Sequence, residues 1–161
     1  MKEKLTSEAR PRANLDLREW LRQVDEIDEL KLIEEVDWNL EIGALTEMFC
    51  LQSKSTPCLL FDQIKGHPAG MRLVTNTLGS LQRTALTLKM PPPKSHTELV
   101  KSWREASKGR PLLPMNVVTD GAVMENVCRG ADVDITKFPA PVWHEDDGGR
   151  YLGTGSLVVT R

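Results

Sequence analysis

The apolar positions of the chain change their spacing several times, and each change marks an element. Leu17, Trp20, Leu21 and Val24 recur at i, i+3, i+4 and i+7, the stripe of a helix that buries one face. Asp16 stands at its start with Glu19 three residues on, a capping-box arrangement. Glu29–Val36 is short and rich in branched residues and predicts a strand. Asp37 or Asn39 can then cap a second helix that turns Leu40, Ile42, Leu45 and Phe49 inward, to about Gln52. Cys58–Phe61 is a four-residue apolar run after Pro57, read as a strand, with Asp62–Gly70 as its turn and Met71–Thr75 as the next strand. Gly79 and Ser80 open a third helix through Leu88, and Pro91–Pro93 end that region. Ser95 with Glu98 forms a second capping box before Leu99, Trp103 and Ala106, on a helix that stops at Gly109.

The resulting order is helix, strand, helix, strand, strand, helix, helix, an α/β (α+β) layer domain over residues 15–114. Residues 1–14 are charged, carry Pro11 and read as a flexible arm. After Pro114 the texture changes. Val117-Val118, Ala122–Val127 and Leu157–Thr160 are short β-prone stretches between Gly, Asp and Pro, so residues 115–161 predict the start of an all-β unit. Its last strand, Leu157–Val159, is expected to need edge partners beyond those the chain supplies.

Composition narrows the class. Of 161 residues, 40% are hydrophobic and 27% charged, with a formal net charge of -2, which suits a folded soluble domain and offers no basic stripe for nucleic acid. No apolar run is long enough for a bilayer, and the charged N-terminus is not a secretory signal. Cys50, Cys58 and Cys128 share no metal-ligand spacing and read as reduced, buried thiols, which points to the cytoplasm.

Chemistry-bearing residues concentrate in Trp143–Gly155. His144, Glu145, Asp146 and Asp147 are good ligand types for a divalent metal, but adjacent side chains of an extended segment alternate in direction. The favoured reading is a solvated acidic turn in which Gly148 and Gly149 supply unusual backbone angles. Gly153–Gly155 would let backbone approach a ligand, with the Thr154 hydroxyl as partner; β-prone residues follow it, so it is no dinucleotide fingerprint. Gly79 and Ser80 could hold a phosphate with Arg83 adding charge, although a plain helix start with a solvent-facing Arg is favoured. His67 and His96 read as surface residues, and Trp20, Trp38 and Trp103 as core or core edge.

The run FPAPVWHEDDGGRYLGTGSLVVTR, Phe138–Arg161, strongly resembles the segment of UbiD-like decarboxylases that leads into their cofactor-binding split β-barrel. Asp16–Leu21, Glu35–Thr46, Cys58–Gly66, Thr75–Leu86 and Gly130–Pro141 resemble the same family in order, so the similarity runs from about Asn14 onward. The resemblance implies an N-terminal α/β domain, a split β-barrel binding prenylated flavin mononucleotide (FMN), and homo-oligomers formed through a further domain. It implies a carboxy-lyase that decarboxylates aromatic or α,β-unsaturated acids, the flavin acting as electron sink, with manganese and potassium ions at its phosphate.

Carried over by motif, Thr154 matches a Thr beside the flavin, and Gly153 and Gly155 flank it. The resemblance assigns no catalytic residue and no metal ligand within this chain; Arg161 and His144 are not the family's catalytic Arg and metal-binding His. The expectation is therefore the amino-terminal part of a decarboxylase, ending before most of its catalytic residues and inactive alone. The alternative is a non-catalytic assembly or binding subunit that retains the α/β domain.

Overall fold

The computed structural model describes residues 16–52, 55–111, 114, 117–121 and 124–152. Its helices and strands follow the expected order: α1 Leu17–Glu26, β1 Leu30–Ile33, α2 Glu41–Gln52, β2 Cys58–Phe61, β3 Leu73–Thr75, α3 Leu81–Thr87 and α4 His96–Ser107. Three of the four helix starts are capped as the sequence implies. The side chains of Asp16, Ser80 and Ser95 accept from the backbone N–H of Glu19, Arg83 and Glu98. Both box glutamates make further contacts. Glu19 pairs with Arg22 and Gln23, and Glu98 accepts from the N–H of Lys94, one residue before the cap. Before α2, Asp37 closes a local turn by accepting from Asn39, while the Glu41 carboxylate accepts from the Asp37 N–H.

The three strands form one sheet in the order β1-β2-β3, with β1 and β2 parallel and β2 and β3 antiparallel. A parallel pair needs a crossover, and α2 provides it. Central β2 is buried on both faces, and its period-two alternation divides the core. Cys58 and Leu60 pack with Trp20, Leu21 and Val24 of α1. Leu59 and Phe61 pack on the other face with Val36, Ile42 and Ile64. Leu17 departs from its expected place, 54% exposed at the first turn of α1, where Gln23 takes a buried position instead. Trp103 is likewise on the surface.

The helix start at Ser80 is as expected, but Arg83 departs from both readings of the Gly79–Arg83 segment. Its side chain is fully buried, facing no solvent and paired with an anion of the chain itself. Nη1 donates to the Glu29 carboxylate at 2.6 Å, Nε to Thr77 O at 3.1 Å and Nη2 to Asn76 O at 3.0 Å and to Thr56 O. Ser80 Oγ also donates to Glu29. The guanidinium thus ties together the loops before β1, β2 and α3, its donors satisfied internally. Cysteine burial is also mixed: Cys58 is buried, whereas Cys50 and Cys128 are exposed.

Beyond α4 the expected strands do not form among the described residues. Val117 and Val118 are 80% and 66% exposed and unpaired, Met124–Val127 is a turn, and Ala122 and Val123 lie outside the described residues. Branched residues favour a strand only where a neighbour accepts the ladder. Instead, two short 3-10 turns, Gly130–Asp132 and Ile135–Lys137, lead into an extended segment. Leu157–Thr160 lies outside the described residues.

Candidate functional site

The segment Phe138–Leu152, the described part of the most distinctive sequence run, returns to the α/β layer and docks at the start of α2. Val142 forms a parallel bridge with Asn39: Leu40 N–H donates to Val142 O at 3.0 Å, and Val142 N–H to Trp38 O at 3.1 Å. The backbone of Trp143 lies directly on Gly43 of α2. A Cβ on Gly43 would overlap the Trp143 carbonyl oxygen and stand 2.7 Å from its carbonyl carbon. Only glycine admits this approach. The Trp143 ring joins the core cluster around Ile42 and Phe61, and its Nε1 donates to Tyr151 O at 3.1 Å.

Arg150 fastens the other end. Its guanidinium carbon sits 4.3 Å from the Trp38 ring centroid, a cation–π stack. Nε donates to Ala140 O at 2.6 Å and Nη2 to Phe138 O at 3.1 Å, so the segment is folded back on itself. Nη2 also lies 3.1 Å from His67 Nε2. Arginine has donors only, so Nε2 is the acceptor there. The ring proton then lies on Nδ1, 3.2 Å from Lys65 O. Tyr151 N–H donates to Pro141 O at 3.2 Å, and the Trp143 and Tyr151 rings are 6.2 Å apart.

The acidic run between these anchors is a turn. One Asp147 oxygen accepts from the N–H groups of Trp143 and His144, at 3.2 and 2.9 Å. Glu145 and Asp146 are exposed, and Gly149 takes φ +146°. His144 stands 3.8 Å from both Glu47 and Asp147. Among the described residues no three His, Cys, Asp or Glu side chains converge on a position for a metal ion, so no metal-dependent step is assigned to them. Gly153, Thr154 and Gly155 lie outside the described residues, directly after Leu152.

Sequence reasoning brought out Trp143–Gly155 but missed Gly43, Trp38, His67 and Arg150 as one assembly. The only local signal is a glycine inside an apolar helix, where it costs about 1 kcal/mol relative to alanine.

Two family models match in order. The 3-octaprenyl-4-hydroxybenzoate carboxy-lyase N-terminal domain matches residues 18–103, and the Rift-related domain of the same carboxy-lyase matches residues 116–161. Pyrrole-2-carboxylic acid decarboxylase of Pseudomonas aeruginosa is 36% identical over 163 residues, covering 93% of this chain and 31% of that protein. Ferulic acid decarboxylase 1 of Saccharomyces cerevisiae is 29% identical over 157 residues, covering 90% of this chain and 30% of that protein. The closed form of vanillic acid decarboxylase from Sedimentibacter hydroxybenzoicus superposes with a TM-score of 0.73 at 29% identity, over 84% of this chain and 28% of that one. The chain thus spans about a third of the length of these relatives. No helix among the described residues is long and apolar enough to cross a membrane. With the N-terminal domain model covering more than half of it and the Rift-related model following in order, the chain belongs to the UbiD carboxy-lyase family and represents its N-terminal portion.

Proposed function

We infer that this chain is the N-terminal part of a decarboxylase acting on aromatic or α,β-unsaturated carboxylic acids with prenylated FMN, manganese and potassium. The observation that carries the reading is the matched Rift-related segment together with its docking: Phe138–Leu152 is pinned on the α/β layer immediately before Gly153–Gly155. When bound, the flavin would supply the electron sink for loss of carbon dioxide. The role of this chain is to hold the segment that carries Thr154, whose hydroxyl is the proposed flavin contact, with Gly153 and Gly155 leaving room for it. Relatives that decarboxylate pyrrole-2-carboxylic, ferulic and vanillic acids support a small carboxylic acid as substrate. Structural neighbours that are complexes of more than one chain support an oligomer.

Titration of the polypeptide at its full encoded length with prenylated FMN, followed by flavin absorbance, tests this reading. Saturable binding is expected, weakened roughly tenfold by Thr154→Val, the loss of about one hydrogen bond. The 161-residue chain alone is expected to show no turnover. No flavin binding by the encoded-length protein, or turnover by the short chain, overturns the reading.

A further inference from the structure

We propose that Arg150, stacked on Trp38 and donating to His67, is a positioning residue that locks the Phe138–Leu152 segment to the α/β layer. The claim that the lock serves a flavin rests on the proposed function; the lock itself does not.

Four contacts converge on one guanidinium. Two go to carbonyls of its own segment, Ala140 O and Phe138 O. Two go to the α/β layer: the Trp38 ring, just before α2, and His67 Nε2, in the turn after β2. The arrangement demands arginine in particular. A planar fork can stack on an aromatic ring while its edge N–H groups reach three acceptors, whereas an ammonium is a compact charge that cannot do both. His67 must present a bare Nε2 to receive the bond, and the Lys65 carbonyl beside Nδ1 favours that tautomer. Lys65 itself is engaged with Asp37, leaving its carbonyl as the feature that faces His67. Arg150 stands three residues before Gly153 in the sequence, which makes flavin retention part of the test.

Amide hydrogen exchange on the 161-residue chain tests the lock without any cofactor. In Arg150→Ala, and also in Arg150→Lys, the amides of Val142 and Tyr151 are expected to exchange about tenfold faster or more, reflecting lost stacking and charge-assisted bonds. Trp38→Leu should give the same pattern. The amides of β2 should stay at their wild-type rates in both Arg150 variants, whereas Trp38 also packs on the Leu59–Phe61 core. Unchanged exchange at Val142 and Tyr151, full rescue by lysine, or, in the Arg150 variants, acceleration spread evenly through β2 would each overturn the proposal. At the encoded length, Arg150→Lys should retain several-fold less prenylated FMN than wild type. Equal retention with a loosened segment would refute the positioning role. If the wild-type protein binds no flavin, the proposed function fails, and the lock is judged by exchange alone.

Discussion

Replacing Gly43 by alanine pits local helix preference against long-range packing. In an isolated helix the change favours folding, because alanine exceeds glycine in helix propensity by about 1 kcal/mol. Gly43 lies inside α2, so local reasoning expects Gly43→Ala to stabilise the protein. The structure reverses the sign. The added Cβ would overlap the Trp143 carbonyl oxygen and approach the carbonyl carbon and Cα to 2.7 and 2.8 Å. These are backbone atoms of a segment held by the Leu40–Val142 and Val142–Trp38 bonds, so they cannot swing aside as a side-chain tip would. Overpacking costs about 1–3 kcal/mol, and parting the two bridge hydrogen bonds costs about 1 kcal/mol each. Set against the helix gain of about 1 kcal/mol, the net is about 2–4 kcal/mol against the docked segment, with α2 intact. Urea denaturation followed by circular dichroism and tryptophan fluorescence reads this out. Fluorescence of Trp143 should report a loosened native state while helix content stays unchanged. A rise in denaturation midpoint with unaltered native fluorescence would refute the packing argument.

Other expectations follow from single contacts. Arg83→Met strips a buried cation from Glu29 and three backbone carbonyls, and should cost about 3–5 kcal/mol in chemical denaturation; a loss under 1 kcal/mol would contradict the buried tie. Burial pushes the Cys58 thiol up to about 11, so under native conditions near neutral pH a thiol reagent should label exposed Cys50 and Cys128 quickly. Cys58 should react only as the protein unfolds, and rapid labelling of all three by intact-protein mass would show otherwise. The Glu19 N–H, first, and then Arg18 hold the Asp16 carboxyl below its usual range. A depressed folded-state value stabilises above the unfolded value, about pH 4, and the contribution disappears as pH falls through the folded one. The stability gap between wild type and Asp16→Ala should therefore narrow in acid, and a gap independent of pH from 7 to 2 would remove the charged cap.

What the sequence made legible was local. Ser80 and Ser95 cap helices through residues three positions away, and the four apolar residues of β2 are a buried strand whatever surrounds them. The misreadings share a different scale. Arg83 looked like a surface cation because its carboxylate partner, Glu29, is 54 residues earlier in the chain. Gly43 and Trp143 are a hundred positions apart, and no periodicity connects them. Val117 and Val118 have strand-forming side chains, yet a strand exists by its pairing, which composition does not supply. The family resemblance carried the reading of Gly153–Gly155, and the described residues end one position before them. What the structure adds is the anchor, Arg150 on Trp38 and His67.

The central claim is that this anchored segment belongs to a flavin-dependent decarboxylase. Carbon dioxide release by the encoded-length protein, loaded with prenylated FMN and manganese, tests it most directly. Pyrrole-2-carboxylic, ferulic and vanillic acids form the first panel, chosen from what the relatives act on. The account predicts flavin-dependent release from at least one aromatic or α,β-unsaturated acid, diminished in Thr154→Val. Absence of release across a broad panel of such acids by a protein shown to hold the flavin would contradict it.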